Sequence, residues 1–261
     1  MKYRLRLRAL AFGASLTALP VLLVHVASAQ AAPRTPVLVE LFTSEGCSSC
    51  PPADTLLAKL NQLQPVPNAD IIVLSEHVDY WNHQGWRDPF SSALLTERQR
   101  EYGVVLHVAD VYTPQIVIDG TKQFVGTDAK HILDAIQSQA PTAKLALTLS
   151  KPAVDGTRVV ASVSTATLPP KLKGDLYAAL VDSSDTTNVL GGENKGHSLM
   201  FVNVVRTFQH IGSLKDLSSG AHVFTLEAPK NANPTTMRLV VFAQSKDAGP
   251  VLGVASSTVS P

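Results

Sequence analysis

Two cysteines, the only ones in the chain, are separated by two serines in the stretch Cys47-Ser48-Ser49-Cys50. Sulfur atoms at this spacing can close a small disulfide ring and reopen it by exchange with another thiol. An apolar run, residues 37–42, precedes the pair, and a segment with leucines at helical spacing, residues 53–63, follows it. The free N–H groups of a helix N-terminus stabilise a thiolate, the nucleophile of disulfide exchange. The pattern therefore predicts a thioredoxin-like redox motif, in which Cys47 attacks or is attacked and Cys50 resolves the mixed disulfide.

Two other interpretations of the cysteine pair stay open. A structural disulfide over so short a loop would contribute about 2 kcal/mol, which matters little to a chain long enough to bury a large core. A metal site, for example for copper(I), would need a third ligand, and His77 is the candidate beside Cys47 and Cys50. Two cysteines exclude a zinc site made of thiolates alone. The preferred interpretation, redox chemistry, requires no metal and no cofactor.

A second motif, Tyr112-Thr113-Pro114-Gln115, stands directly before an apolar strand-like run, residues 116–118. Proline at a strand start is confined to edges and special turns, and only X-Pro bonds adopt cis at modest cost. In thioredoxin-like folds a cis-proline occupies this place and faces the C-x-x-C pair. We therefore expect a cis Thr113–Pro114 bond that orients the client backbone, with Tyr112 and Gln115 beside the client. An ordinary trans proline at a strand entry is the alternative.

Both tryptophans of the chain, Trp81 and Trp86, fall in the segment 77–88. This segment begins where a buried strand should end, on the side from which the cysteine loop emerges, and ligands of open α/β sheets bind at that carboxyl end. The two side chains are therefore candidates for a substrate-binding groove, or they cover the core beneath a loop. Both roles can hold together.

Two carboxylates flank the cysteine motif, Glu40 on the preceding strand and Glu45 in the loop. A buried carboxylate behind the resolving cysteine can accept its proton, so both are candidates for proton transfer. The alternative is a solvated carboxylate or one at the edge of the core. Farther along, a glycine-rich polar loop, residues 191–197, is either a simple surface loop or an element that reaches the redox site.

The elements that must position these residues follow the order β-α-β-α-β-β-α up to residue 139, which indicates a mixed sheet with helices on its faces. At Pro141 the sequence pattern changes, and no helical pattern follows it. About seven short alternating runs separated by Gly, Pro and Asn turns then predict an antiparallel β-sandwich-like domain. The expected fold is α/β plus all-β, with a minimal thioredoxin-like domain at 30–140 and the second domain at 141–261.

The first 29 residues have the features of a secretory signal peptide. Four basic residues precede a long apolar run, and Ala27-Ser28-Ala29 provides the small residues of a cleavage site. Cleavage changes the charge balance from 22 minus 21 to 18 minus 21, or −3. We therefore expect a periplasmic or secreted protein that binds neither nucleic acid nor, after cleavage, a membrane.

Three stretches together resemble a family of exported bacterial proteins known as domain of unknown function 1223: residues 41–54, residues 77–81 and residues 112–115. Residues 192–194 and 203–206 also look like features of that family. The resemblance implies a thioredoxin-like fold and a secreted or periplasmic location, and it implies no established reaction. The chain departs from thioredoxin itself, because Gly46 stands where thioredoxins have Trp and Ser-Ser replaces Gly-Pro between the cysteines.

The preferred hypothesis is an exported thiol–disulfide oxidoreductase that acts on protein or small-molecule thiols. Its partners would be a thiol or disulfide client and a periplasmic electron-donor protein. The alternatives are a metal carrier that uses Cys47, Cys50 and His77, and a non-catalytic interaction module built on a thioredoxin fold.

Overall fold

The computed structural model describes Met1 and residues 34–260. The predicted signal peptide, apart from Met1, lies outside the described residues. Residues 34–260 belong to one compact unit. In the part of the chain that the structure describes, no helix has the length and apolar character needed to cross a membrane.

The first half of the chain follows the predicted β-α-β-α-β-β-α order. The first helix buries Leu57 and Leu60 on one face, as expected from its leucine spacing. The elements are β1 Thr35–Thr43, α1 Pro51–Leu63, β2 Ala69–His77, α2 Ala93–Val105, β3 Gln115–Ile118, β4 Lys122–Val125 and α3 Ala129–Gln139.

The second half contains strands and two short 3₁₀ turns, and no α-helix lies between residues 141 and 260. Two of its strands form a hairpin of 14 and 16 residues, longer than the short runs that the sequence indicated. The strands are β5 Leu147–Leu149, β6 Ala153–Asp155, β7 Arg158–Thr165, β8 Asp175–Asn188, β9 Ser198–Ser213, β10 His222–Glu227, β11 Met237–Gln244 and β12 Val251–Thr258.

Both halves share one mixed sheet of eight strands in the order β12-β11-β8-β9-β2-β1-β3-β4. The two halves meet where β9 lies parallel to β2, at Ser75 and Val204. A second, antiparallel sheet contains β10, β7 and β5, with β6 paired to β7. Its inner side chains, such as Val163 and Leu226, share a core with Leu180 of β8 and Val241 of β11. One layer of the predicted sandwich therefore belongs to the large sheet, and that sheet crosses the predicted boundary near residue 140.

Side chains of β1 and β2 alternate between two buried faces of the sheet, because successive residues of a strand point to opposite sides. On one face Val39 shares a core with Leu57 of α1 and Ile136 of α3. On the other face Leu38 and Leu74 share a core with Leu95 of α2. This alternation shows which face each polar residue of the two strands occupies. Odd-numbered residues face α1, and even-numbered residues face α2.

Candidate active site at the end of β1

The two cysteines form a disulfide between the end of β1 and the start of α1, with their Cα atoms 5.4 Å apart. The helix begins at Pro51, with Cys50 at its N-cap position. Pro51 and Pro52 occupy the first turn, where an N–H has no acceptor within the helix. The carbonyl of Cys50 accepts the first helical N–H groups, from Ala53 at 2.8 Å and from Asp54 at 3.1 Å.

Neither cysteine has any exposed surface. The loop between β8 and β9, residues 189–197, is bonded to the cysteine loop, and we call it the strap. Its Glu193 carboxylate accepts hydrogen bonds from the Ser48 hydroxyl at 2.7 Å and from the Ser48 N–H at 3.2 Å. The Asn194 amide donates to the carbonyls of Glu45 and Cys47, both at 2.9 Å. Of the two interpretations of this glycine-rich loop, the structure therefore favours the one that reaches the cysteines.

The strap packs closely against the loop that carries Trp86. A Cβ on Gly191 would lie 2.3 Å from the carbonyl oxygen of Gly85, so no larger residue fits there without a shift of the backbone. The half-buried Trp86 donates its indole N–H to the Glu45 carboxylate at 2.6 Å. Trp86 thus lies beside the cysteine loop, as the sequence predicted, and it links that loop to the strap.

Trp81 connects the proline motif to the cysteine loop. Its indole N–H donates to the Thr113 hydroxyl at 2.8 Å, and its Cβ lies 3.1 Å from the position of a Cβ on Gly46. The Thr113–Pro114 bond is cis, as expected. A Cβ on Gly126 would lie 2.9 Å both from Pro114 and from Ala53 of α1, which places the proline beside the first turn of the cysteine helix.

The other two predicted substrate-binding residues are tied into a network of glutamines. Gln115 has no exposed surface, and its amide bonds to Gln99 at 2.9 Å and to Gln123 at 3.3 Å. Tyr112 is partly exposed and donates its hydroxyl to Gln123. The structure therefore leaves Tyr112 accessible and encloses Gln115.

The two predicted proton-transfer carboxylates differ in position. Glu40 faces α2, the face opposite to the cysteine helix, and accepts hydrogen bonds from Arg98 at 2.7 Å and from Tyr102 at 2.6 Å. The structure does not bring Glu40 to the cysteine pair, because its even-numbered position in β1 turns it away. Glu45 lies in the cysteine loop and is buried. Burial and the nearby carboxylate of Asp88 raise the pKa of Glu45.

Asp54 is a candidate site residue that the sequence reasoning missed. It follows Cys50 by four residues in α1, a spacing that places two side chains on one helix face. Asp54 is only 5 % exposed, and burial raises its pKa to about 7, against the opposing effect of nearby His77. The signal was present in the spacing Cys50-Pro51-Pro52-Ala53-Asp54 once the start of the helix was known.

His77, at the end of β2, is buried and pairs with Asp88 in the loop before α2. The distance from His77 Nδ1 to Asp88 Oδ2 is 2.7 Å. Burial by itself lowers the pKa of His77, but the Asp88 carboxylate outweighs it, and the pKa is raised. No group of three or more His, Cys, Asp or Glu side chains that could hold a metal ion occurs within the described ranges.

Four buried polar atoms gather on the α1 side of β1 and β2. They are Thr43 Oγ1, Asp54 Oδ1, Ser75 Oγ and His77 Nε2, and we call their side chains the α1-side cluster. Thr43 interacts with the Asp54 carboxyl, whereas Ser75 Oγ and His77 Nε2 have no hydrogen-bond partner among the described residues. Thr43 and His77 are paired residues at the ends of β1 and β2. Buried polar atoms are normally bonded, so a concentration of unbonded ones indicates a site that does more than support packing.

Comparison with known proteins gives a family and two similar structures. A family model described as "Protein of unknown function (DUF1223)" matches residues 38–244. A crystal structure of a protein from Agrobacterium tumefaciens is 28% identical, with a TM-score of 0.65, over 87% of this chain and 96% of that one. The structure of HBP35 of Porphyromonas gingivalis is 14% identical, with a TM-score of 0.60, over 88% of this chain and 77% of that one. No curated protein matches the chain.

Proposed function

The chain belongs to the DUF1223 family of proteins of unknown function, and we propose that it is an exported thiol–disulfide oxidoreductase with a thioredoxin-like fold. One observation carries the proposal. The Cys47–Cys50 disulfide lies at the N-terminus of α1, between a cis-proline on one side and a buried carboxyl group, Asp54, in the same helix. A disulfide that served only as a staple would not require these neighbours.

The reaction begins with the reduced pair, in which the Cys47 thiolate attacks one sulfur of a client disulfide. A mixed disulfide forms, and the first client sulfur leaves as a thiolate. The Cys50 thiol then loses its proton to the Asp54 carboxylate and attacks the sulfur of Cys47. The second client thiolate leaves, so two electrons have passed to the client and the Cys47–Cys50 disulfide remains.

Asp54 suits this proton transfer because its pKa of about 7 lets it gain or lose a proton at neutral pH. The ordinary carboxyl pKa would leave the group ionised and unable to return a proton in the reverse reaction. Asp54 thus replaces Glu40 as the proposed proton acceptor. Thr113 and Pro114 orient the client backbone beside Cys47.

We propose that a client displaces the strap to reach the sulfur atoms, since neither cysteine is exposed in the disulfide form and the strap is bonded to Ser48 and to the carbonyl of Cys47. The hydrogen bonds that fasten the strap come from Glu193 and Asn194, and these are bonds that a client backbone can replace. The proposed clients are proteins or small molecules that present an accessible disulfide or thiol. A periplasmic electron-donor protein is the proposed second partner.

The test is turnover of a model disulfide by the purified chain. We expect the wild type to reduce or oxidise it, Cys47→Ser to abolish the reaction, and Cys50→Ser to accumulate a mixed disulfide with the client. Gln62→Ala, at an exposed position of α1, is the control and should retain the reaction. Activity that persists in Cys47→Ser would overturn the proposal, as would a wild type that binds metal stoichiometrically through its thiols and turns over no disulfide.

A further inference from the structure

The α1-side cluster and the neighbouring Asp88 include titratable side chains that take no part in the proposed exchange reaction. Asp54 accounts for the proton of Cys50, but His77 and Asp88 have no part in that step. His77 is fully buried, and its ring is enclosed by Phe201, with ring centroids 4.7 Å apart, and by Phe90, at 5.4 Å. Burying a histidine nitrogen without a hydrogen bond costs folding free energy, so we looked for a role of this side chain at the site.

Asp88 fixes the orientation of His77. The Asp88 carboxylate accepts the Nδ1–H of His77 at 2.7 Å and backbone N–H groups of Glu45 and Phe90, each at 2.8 Å. Because the carboxylate can only accept, Nδ1 carries the proton and Nε2 is the nitrogen left without a partner. The imidazole is therefore held rigidly with one nitrogen free to take up a second proton.

The charged groups that act on His77 include three carboxylates. They are Asp88 in the loop before α2, Asp54 in α1 and Glu45 in the cysteine loop. On the side of Phe90, Arg206 of β9 lies over that ring and acts, like His77, on the carboxyl of Asp185 in β8. Nearby carboxylates stabilise a histidine as a cation, and that cation in turn stabilises the ionised form of its neighbours.

We infer that His77, held by Asp88, is a positioning residue whose charge sets the pH at which Asp54 exchanges a proton with the cysteine pair. The inference rests on the proposed function and deepens it. His77 does not touch the sulfur atoms. It acts through Asp54, whose carboxylate form it stabilises so that the proton of Cys50 has an acceptor near neutral pH.

Protons can reach this pair from one side of α1. A groove of about 420 Å³ runs along the helix, and its lining includes Asp54, Lys59, Leu199 and Met200. Asp54 is thus the cluster member that borders both the interior and a groove at the surface. His77 lies deeper and has no exposed surface.

The test follows the titration of the Asp54 carboxyl by carbon NMR of aspartate-labelled protein, assigned with Asp54→Asn. We expect a midpoint near pH 7 in the wild type and a midpoint at least one pH unit higher in His77→Gln, a tenfold gain in proton affinity. Glu76→Gln is the matched control, because Glu76 is the adjacent buried residue of β2 but faces α2. It should leave the midpoint unchanged.

An unchanged midpoint in a folded His77→Gln would overturn the inference. Should that variant not fold, nitrogen NMR of the His77 ring in the wild type decides, because the inference requires a cationic ring at pH 6 and a neutral ring throughout pH 5–8 contradicts it. Neither measurement needs a client. A shifted midpoint in a protein that exchanges no disulfides would therefore refute the proposed function, while the effect of His77 on the titration of Asp54 would stand.

Discussion

Two buried polar clusters lie back to back on the opposite faces of β1 and β2. The cluster toward α2 contains Glu40, Glu76, Arg98, Tyr102 and Gln244, and we call it the α2-side cluster. It has a permanent cation, whereas the α1-side cluster has only His77, whose charge depends on pH. A buried cluster with a permanent counter-charge is expected to support the fold, whereas a cluster whose only cation is a histidine can change its charge with pH.

Within the α2-side cluster, most polar groups are bonded. Arg98 donates to Glu40 and to Tyr102, and Gln244 bonds to both Arg98 and Tyr102. The guanidinium also lies 4.9 Å from the ring centroid of Phe208. These contacts join β1, α2 and β11, so the cluster ties the two halves of the chain together. Glu76 makes no hydrogen bond among the described residues, and its carboxyl lies 3.7 Å from the Arg98 guanidinium.

Arg98→Met would break the α2-side cluster and should have the largest effect. Burying Glu40 without its cation should lower the free energy of unfolding by about 3 to 5 kcal/mol. Urea unfolding checks the stability. The equilibrium with dithiothreitol at pH 7, measured on the folded fraction, should stay within about twofold of the wild type, because this face does not contact the cysteines.

Arg98→Lys provides the graded control, since it keeps the charge but loses the paired hydrogen bonds. It should fold and be less destabilised than Arg98→Met. If Arg98→Met is as stable as the wild type, the cluster does not support the fold, and the comparison between the two faces fails.

Asp54→Asn tests the α1-side cluster by its effect on stability. The folded-state pKa of Asp54 is raised to about 7 from an ordinary value of 3.8, so ionisation opposes folding as pH rises through this range. Asparagine does not ionise, and the variant should be more stable than the wild type by about 2 to 4 kcal/mol above pH 7. The difference should disappear below about pH 4, where both states of the wild type are protonated.

Denaturant unfolding at a series of pH values measures this difference. The matched variant Asp70→Asn, at an exposed position near the start of β2, should show no such dependence. A stability difference that is constant with pH would mean that folding does not raise the pKa of Asp54, and its proposed proton transfer near neutral pH would fail with it.

Asn194→Ala should have the smallest effect of the three changes. It should alter the access of a reductant to the disulfide and leave both buried clusters unchanged. The variant loses the two hydrogen bonds from the strap to Glu45 and Cys47. If strap opening precedes reduction, the rate of reduction by dithiothreitol should rise by about tenfold. Stopped-flow reduction checks the rate, with Lys195→Ala, an exposed residue of the same strap, as control. Equal rates in Asn194→Ala and the wild type would show that the strap does not limit access.

Local patterns predicted a large part of this molecule. The alternation of apolar runs gave the seven elements up to residue 139 in the correct order, and the proline before β3 indicated the cis bond. The cysteine pair was placed correctly between β1 and α1. These features depend on neighbouring residues, whose steric and hydrogen-bonding preferences are fixed by the chain itself.

Other features were missed because they depend on which face an element presents. Glu40 and Glu45 looked equivalent in sequence, yet one faces α2 and the other lies beside Cys47. Asp54 was overlooked because the exact start of α1 decides which residues share a face with Cys50. A shift of one residue in the register of a strand or helix moves each side chain to a different face of that element.

Local spacing is enough to place a cysteine pair at the start of a helix with an X-Pro bond near it. Tertiary packing brings the strap to the cysteine loop across 145 residues of chain and puts His77, Asp54 and Asp88 in one interior. Burial and the charge of distant residues set the pKa of a carboxyl group, and both are properties of the packed molecule that no local pattern contains.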